Sequence, residues 1–270
     1  MEEFLTGPAS NITKSHIDFG ASCLPAYKKF YAVILDNVLS PAECDTLLGM
    51  AEAHGAGQWE RASINVGGGR QKLYTDVRNN GRIIWDSKDL VEKLCIRLDN
   101  HMAEISRLES WPAVTMSSLS GKVWRLTRLN ERMRFLKYEK GEYFRRKSAS
   151  PQCHTLQPAN CRFVAHQDGS YITPDGKERS YFTLHLYLND SQDPLESENS
   201  PSGSSLETEP KLRGGATTFH SYSMKERLDV MPKAGRVLIF QHNHLLHSGD
   251  DVRQGVKYTM RTDIMYEIEK

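Results

Sequence analysis

The tripeptide His166-Gln167-Asp168 places an imidazole and a carboxylate two positions apart. On an extended segment, side chains two positions apart point to the same face, so both groups could bind one metal ion. The spacing is weak evidence alone, because a His-x-Asp sequence arises easily by chance. A second histidine from a distant part of the chain would complete a set typical of catalytic iron(II), because two histidines and one carboxylate leave positions for a cosubstrate and dioxygen.

Candidates for that second histidine lie together in the segment 241–249, which contains His242, His244 and His247. We favour His247 because Lys257 lies ten positions downstream on the next predicted strand, where it could bind a cosubstrate carboxylate. His242 and His244 are interpreted as ordinary polar loop residues. The predicted metal ligands are therefore His166, Asp168 and His247.

The first half of the chain, from residue 30 to residue 110, is predicted to provide helical support for this site. Residues 30–39 have the composition of a strand, and Ser40-Pro41 is a typical helix start, with serine as the N-cap and proline at the first helical position. Glycines at 55–57 end this helix. A second amphipathic helix is predicted over 87–106.

From residue 132 onward the pattern changes to short alternating strands separated by Gly and Pro, which indicates a sandwich or jelly roll. Strands are predicted at 132–138, 181–189, 215–222, 236–242 and 256–266. The fold class is accordingly mainly β with flanking α-helices. We expect a single domain over residues 30–270 with a jelly-roll core at 130–266, preceded by a mobile arm at 1–29.

Two stretches interrupt the strand pattern. Residues 191–213 are rich in Ser, Glu and Pro and contain no aromatic residue, so they are predicted to form a disordered surface loop. The insertion 145–161 is basic at its start and contains Cys153, His154 and Cys161. These three side chains lack a fourth ligand, so no zinc site is predicted there.

Composition excludes several classes of function. Lys plus Arg total 35 and Asp plus Glu total 34, and the formal charge of +1 gives no field to attract nucleic acid or an anionic membrane. The five cysteines contain no CxxC pair, which favours a reducing compartment. The acidic, polar N-terminus and the absence of a run of about 18 apolar residues lead us to expect a cytoplasmic or nuclear protein that is not secreted.

Six short pieces of sequence follow one another between about residues 130 and 266. They are Tyr138-x-x-Gly141, His166-x-Asp168, Tyr187-Leu188-Asn189, Gly214-Gly215-Ala216-Thr217-x-Phe219, Gly235-Arg236-x-Leu238-x-Phe240 and His247-x(9)-Lys257-Tyr258. In type and order they resemble the prolyl 4-hydroxylase-like Fe(II)/2-oxoglutarate-dependent oxygenases. The stretch KYTMRTDIMY at 257–266 resembles the branch of that family with a KYxxRTDxxY signature.

The resemblance implies a double-stranded β-helix, with iron at the open end and 2-oxoglutarate reaching into the barrel. Lys257 resembles the basic residue that pairs with the distal carboxylate of 2-oxoglutarate. Arg261, four residues later on the same face, could share or take over that role, or could be a structural ion-pair residue. Tyr138 and Tyr187 resemble tyrosines that hydrogen-bond the cosubstrate, and Thr183 is expected to line the same pocket.

The resemblance also suggests where a substrate would bind. Arg78, Asn79 and Arg82 follow the glycines at 67–69, in a region where this family often has a mobile element over the iron. They are candidate substrate contacts, and a solvated basic face is the alternative. His185 is interpreted as a pocket-lining histidine and not as a further metal ligand.

The activity implied by the resemblance is oxidation of an unactivated C–H bond, with hydroxylation as the default outcome and with release of succinate and CO2. Fe(II), 2-oxoglutarate and dioxygen would be required, and ascorbate is expected to stimulate. The substrate is either a protein or peptide residue such as proline, or a small metabolite. The alternatives are a non-catalytic jelly-roll binding protein and a cupin-type metal enzyme that does not use 2-oxoglutarate.

Overall fold

The protein is described here by a computed structural model. The described residues are 4–5, 11–62, 64–65, 71–72, 78–109, 111, 114, 122–144, 146–147, 163–192 and 210–269. The predicted disordered loop at 191–213 lies mostly outside these residues, and so does nearly all of the insertion at 145–161.

The described residues form two α-helices, three short 3₁₀ turns and many short strands. The helices are α1 (Pro41–His54) and α2 (Lys88–Leu98), and the 3₁₀ turns are Pro25–Tyr27, Asp99–His101 and Ala103–Ile105. The strands are β1 (Thr13–His16), β2 (Ala32–Asp36), β3 (Glu60–Arg61), β4 (Ile64–Asn65), β5 (Gln71–Lys72), β6 (Arg78–Asn79), β7 (Gly81–Asp86), β8 (Arg107–Leu108), β9 (Trp124–Leu129), β10 (Arg132–Tyr138), β11 (Tyr143–Phe144), β12 (Arg146–Lys147), β13 (Phe163–Val164), β14 (Glu178–Tyr187), β15 (Arg213–Gly214), β16 (Thr217–His220), β17 (Arg227–Val230), β18 (Val237–Gln241), β19 (His247–Gly249), β20 (Val252–Gln254) and β21 (Lys257–Ile268).

Helix α1 begins where its sequence predicts. The Ser40 side chain accepts a hydrogen bond from the Glu43 backbone N–H, and the Glu43 side chain accepts one from the Ser40 backbone N–H, so the two residues form a capping box. Helix α2 ends at Leu98, earlier than the predicted 106, because Asp99, Asn100 and His101 all have low helix propensity. None of the helices in the described part of the chain is long and apolar enough to span a membrane.

Two antiparallel sheets form the body of the molecule, as expected for a double-stranded β-helix. Within the described residues, the main sheet has the strand order β1-β2-β18-β14-β21-β10-β7-β3, with β9 also pairing with β21 and β8 pairing with β9. The second sheet has the order β17-β16-β19-β11-β6. The predicted mainly-β jelly-roll fold with flanking helices is confirmed.

The two faces of the main sheet have different roles, and β14 shows this clearly. Phe182, Leu184 and Leu186 belong to the large apolar core that also contains residues of α1 and α2. Thr183 and His185 alternate with them on the opposite face, because successive side chains of a strand point to opposite sides. We call this second, polar side the inner face of the main sheet.

The expected mobile arm at 1–29 is corrected for residues 11–29. Strand β1 pairs antiparallel with β2, placing Thr13 opposite Asp36 and His16 opposite Val33. Further along, Phe19 is buried against Phe219, with ring centroids 5.4 Å apart. This segment therefore packs on both sheets, and its long-range pairing could not be seen in its polar local composition.

Candidate metal and cosubstrate site

The three predicted metal ligands come together on the inner side of the molecule. His166 and His247 form a β-bridge in which each backbone N–H donates to the other residue's carbonyl oxygen at 2.9 Å. Asp168, two residues after His166, reaches the same place. Ligand atoms of the three residues lie within 4.8 Å of one another, and they form the one such metal-binding group found in the described residues.

Asp168 is the electrostatic centre of this group. One of its oxygens, Oδ1, lies 3.8 Å from Nε2 of His166, and the other, Oδ2, lies 3.6 Å from Nε2 of His247. Burial alone would raise the pKa of Asp168, but Arg261 and the two histidines together hold it well below its ordinary value. Asp168 is therefore a carboxylate at neutral pH.

The orientation of His247 suits metal binding. Its Nδ1 lies 3.1 Å from the carbonyl oxygen of Leu245, so Nδ1 carries a proton and Nε2 is directed toward Asp168. Burial lowers the pKa of His247, which favours the neutral ring that a metal requires.

These donors fit an iron(II) ion. Two imidazoles and one carboxylate, each about 2.1 Å from a shared ion, lie roughly 3 to 4 Å from one another. The two separations of 3.6 and 3.8 Å from Asp168 agree with this, and both exceed an ordinary hydrogen bond. The site thus brings two imidazoles and one carboxylate close enough together to bind one ion.

The other two histidines of the segment 241–249 differ from each other. His244 is exposed and stacks on Phe30, with ring centroids 5.5 Å apart, as expected for a loop residue. His242 is fully buried and interacts electrostatically with Asp168 and Asp263. His242 does lie in a loop, in the bend after β18, but it is not an ordinary polar loop residue because its side chain is buried.

A buried lysine lies in the cavity that the metal residues line. Lys257 is 3% exposed, and its Nζ lies 5.4 Å from the ring centroid of Tyr138 and 5.6 Å from that of Tyr187. Burial lowers its pKa to about 8. Gly215 makes room for its stem, since a Cβ there would lie 3.0 Å from Cδ of Lys257. In the described part of the chain, no carboxylate forms an ion pair with this lysine.

Tyr187 and Tyr138 flank Lys257, as the prediction requires. The Tyr187 hydroxyl donates to Oγ1 of Thr217 at 2.7 Å. Tyr138 ends β10 directly opposite Lys257 on β21, and both residues line the cavity. Their roles toward a cosubstrate remain predictions.

Arg261 and Thr183 both contact Asp168 directly. Arg261 Nη1 lies 2.9 Å from Oδ1 of Asp168, and the Thr183 hydroxyl donates to Oδ2 at 2.6 Å. Arg261 Nη2 also donates to Oγ1 of Thr183 at 3.2 Å. The charge of Arg261 is thus balanced by a carboxylate of the protein, which favours Lys257 as the residue that binds the cosubstrate.

Of the three candidate substrate residues, Asn79 and Arg82 have described side chains, and neither is among the residues that line the cavity. Backbone pairing places Arg78 and Asn79 in β6, at the edge of the second sheet, where the Asn79 side chain accepts a hydrogen bond from Arg61. Arg82 is 8% exposed on the inner face and lies opposite Leu136, which lines the cavity.

Sequence reasoning missed further polar residues of the inner face. Arg134 lies directly opposite Arg261 in the register of β10 and β21, and Asp263 lies opposite Thr183 in that of β21 and β14. The sequence could have predicted both residues. Arg134 lies four positions before Tyr138, and Asp263 lies two positions after Arg261. Side chains an even number of positions apart in a strand lie on the same face, so both belong to the face of the predicted site residues. His185 lines the cavity as predicted.

Comparison with known proteins agrees with this geometry. Residues 151–262 match the 2OG-Fe(II) oxygenase superfamily. No curated protein sequence matches the chain.

Solved structures of prolyl hydroxylases are similar to the chain at low identity. A viral collagen prolyl hydroxylase from Paramecium Bursaria Chlorella virus-1, in complex with 2-oxoglutarate, is 16% identical with a TM-score of 0.44, over 88% of this chain and 96% of that one. A Pseudomonas putida prolyl-4-hydroxylase is 12% identical with a TM-score of 0.49, over 92% and 94% of the two chains. A Trichoplax adhaerens prolyl hydroxylase, bound to a hypoxia inducible factor peptide fragment, is 12% identical with a TM-score of 0.49, over 92% and 95%.

The sequence resemblance is therefore confirmed by the superfamily match, which covers Asp168, both histidines and Lys257. Over residues 151–262, the chain is similar to the 2OG-Fe(II) oxygenases, the iron dioxygenases that depend on 2-oxoglutarate.

Proposed function

We propose that this chain hydroxylates an unactivated C–H bond of its substrate, consuming 2-oxoglutarate and dioxygen and releasing succinate and CO2. One observation carries the proposal. A cluster of two histidines and a carboxylate opens onto the same cavity as a buried lysine that has no carboxylate partner among the described residues. A metal ion and a dicarboxylate are the ligands that such a cavity fits.

His166, Asp168 and His247 would hold the iron, and bound iron with 2-oxoglutarate supplies the oxidising chemistry. The protein supplies orientation and charge. The Asp168 carboxylate is fixed through both oxygens, by Thr183 and by Arg261, so it is presented in one orientation.

Lys257 would bind the distal carboxylate of 2-oxoglutarate. Its ammonium lies between two tyrosine rings in a buried cavity, where a charge pair is screened less than in water. The incoming anion would restore the proton affinity that burial has reduced. Arg261 remains the second candidate for this contact, although its guanidinium already pairs with Asp168.

The proposed substrate is either a protein or peptide residue such as proline, or a small metabolite. We further propose a cytoplasmic or nuclear location, which is supported by the absence of disulfides among the described cysteines Cys23, Cys44 and Cys95. Stimulation by ascorbate is part of the same proposal.

The test is succinate formation from 2-oxoglutarate in the presence of Fe(II) and ascorbate, with His247→Ala as the inactive variant and His244→Ala as the matched control. His247→Ala removes a ligand and should abolish turnover, whereas His244 is exposed and its loss should leave turnover intact. A wild-type protein that binds iron but forms no succinate would support the non-catalytic alternative. Dioxygen consumption without 2-oxoglutarate would support a cupin-type enzyme.

A further inference from the structure

A histidine lines the cavity between the metal residues and the buried lysine. His185 lies on the inner face of β14, between Thr183 and Tyr187 in the alternation of the strand. Thr183 donates to the metal ligand Asp168, and the ring of Tyr187 lies beside Lys257. Successive side chains on one face of a strand are about 7 Å apart. A molecule that extends from the metal to Lys257 therefore passes His185.

The register of the sheet gives the same position from the neighbouring strand. Arg261 of β21 lies directly opposite His185, and its guanidinium contacts Asp168 at 2.9 Å. Lys257 lies on the same face of β21, and His185, Lys257 and Arg261 all line one cavity. Both Lys257 and Asp168 interact electrostatically with His185. The ring is therefore within reach of both ends of the cavity.

The two nitrogens of the His185 ring have different surroundings. Nε2 is buried and has no hydrogen-bond partner among the described residues. Nδ1 also forms no hydrogen bond within the described part of the chain, but it is not fully buried, so it belongs to the part of the ring that faces the cavity. The ring packs edge-on against Tyr187, with centroids 4.8 Å apart, and this contact supports its orientation. A polar atom of His185 is thus exposed to whatever the cavity binds.

The surroundings of His185 keep its ring neutral. Burial lowers the pKa of His185 well below its ordinary value, and the charges of Lys257 and Arg261 lower it further. A neutral imidazole has one N–H, and the hydrogen bonds that are available decide which nitrogen carries it. All the oxygens of the 2-oxoglutarate dianion are acceptors, so this molecule favours the tautomer with the proton on Nδ1.

We propose that His185 is a cosubstrate-binding residue whose Nδ1–H donates a hydrogen bond to an oxygen of 2-oxoglutarate, between the metal and Lys257. The inference rests on the proposed function, because it assumes that 2-oxoglutarate occupies this cavity. A neutral donor suits the position, since Lys257 and Arg261 already supply two positive charges and a third would be repelled by them. An apolar side chain would fill the space but would leave the cosubstrate oxygen without this partner.

Three substitutions separate the Nδ1 donor from the volume of the ring. His185→Asn places an amide nitrogen near the position of Nδ1, His185→Gln places one near that of Nε2, and His185→Leu fills similar space without a donor. Calorimetry on the Zn(II)-loaded protein measures 2-oxoglutarate binding and needs no turnover. We expect the Leu and Gln variants to bind about tenfold more weakly, because a hydrogen bond to a charged group is lost, and the Asn variant to stay close to the wild type.

Two further measurements accompany the variants. His54→Leu is the control substitution, because His54 is exposed and stacks on Trp85, and it should bind 2-oxoglutarate as the wild type does. Nitrogen-15 NMR of the histidine rings examines the Zn(II)-loaded wild type directly. On addition of 2-oxoglutarate, the His185 ring should show a proton on Nδ1 alone that exchanges slowly with solvent. Its signal is the one missing from any His185 variant that melting temperatures show to be folded.

Four results would overturn the inference. They are equal 2-oxoglutarate affinity of the wild type and His185→Leu, equal losses in the Leu and Asn variants, retention of binding by the Gln variant instead of the Asn variant, and a ring that is protonated on Nε2 in the complex. Loss of Zn(II) affinity in His185→Leu would also overturn it, because the residue would then act through the metal site. If the Zn(II)-loaded wild type does not bind 2-oxoglutarate at all, the proposed function fails as well, whereas binding without a difference between variants refutes only the role of His185.

Discussion

Nη1 of Arg261 lies 2.9 Å from Oδ1 of Asp168, so a cation of β21 holds the carboxylate that the metal would share. The Thr183 hydroxyl holds the other oxygen of Asp168 at 2.6 Å. Burial alone would lower the pKa of Arg261, but Asp168 and Asp263 raise it, so the guanidinium stays charged. The residues that surround the metal site are therefore already connected to one another through Asp168.

The hydroxyl of Thr183 is predicted to control metal affinity. Thr183→Val keeps the shape of the side chain but removes the hydrogen bond to Asp168, and losing such a supporting contact typically weakens metal binding 10- to 100-fold. Thr183→Ser keeps the hydroxyl and is the control. Titration with Fe(II) or Co(II) measures the effect, and equal metal affinity in the Val and Ser variants would contradict this role.

Alanine substitutions of Lys257 and Arg261 are predicted to affect different properties of the protein. Lys257→Ala should leave the distal carboxylate of 2-oxoglutarate unpaired, at a cost on the order of 2 to 5 kcal/mol, and should raise the KM for 2-oxoglutarate steeply. Arg261→Ala should mainly weaken metal binding and lower the melting temperature, because its guanidinium pairs with Asp168. If the KM for 2-oxoglutarate is unchanged in Lys257→Ala but rises steeply in Arg261→Ala, Arg261 is the residue that binds the cosubstrate.

The KM for 2-oxoglutarate is predicted to depend on pH through Lys257. Burial lowers the pKa of this lysine to about 8 in the site without cosubstrate. Above that pH the lysine loses its charge, so the KM should rise by up to about tenfold per pH unit, and below it the KM should level off. Lys257→Arg keeps a cation at high pH, so its KM for 2-oxoglutarate should not rise above pH 8. If the KM of this variant rises as steeply as that of the wild type, Lys257 is not the cause of the pH dependence.

Gly235 is predicted to be indispensable for the fold. Its φ is +74°, and a Cβ there would lie 1.8 Å from the carbonyl oxygen of Leu39. Gly235→Ala should therefore cost on the order of 3 kcal/mol or more in the free energy of unfolding. Gly141 is the control, since its φ of +79° is similar but no atom lies within 4 Å, so Gly141→Ala should cost only about 1 to 2 kcal/mol. Chemical denaturation of both variants measures the difference.

Local patterns in the sequence predicted the candidate metal ligands and several strands of the main sheet, but not β19, which carries His247. His166 and Asp168 share a face because they are two residues apart, and β10 spans the predicted 132–138. The contact of Arg261 with Asp168 could not be predicted in this way, because it depends on the register between β21 and β14. The packing of Phe19 on Phe219 could not be predicted from local patterns either, because it joins segments that are far apart in the chain.

The metal site depends on a backbone link between two distant parts of the chain. His166 and His247 exchange two backbone hydrogen bonds, so the sheet itself sets the distance between these ligands. The segments that join strands β14, β16, β17 and β18 between the two histidines can therefore change in length over evolutionary time while these two ligands keep their relative positions. New substrate preferences can arise in such lineages without the metal chemistry having to evolve again.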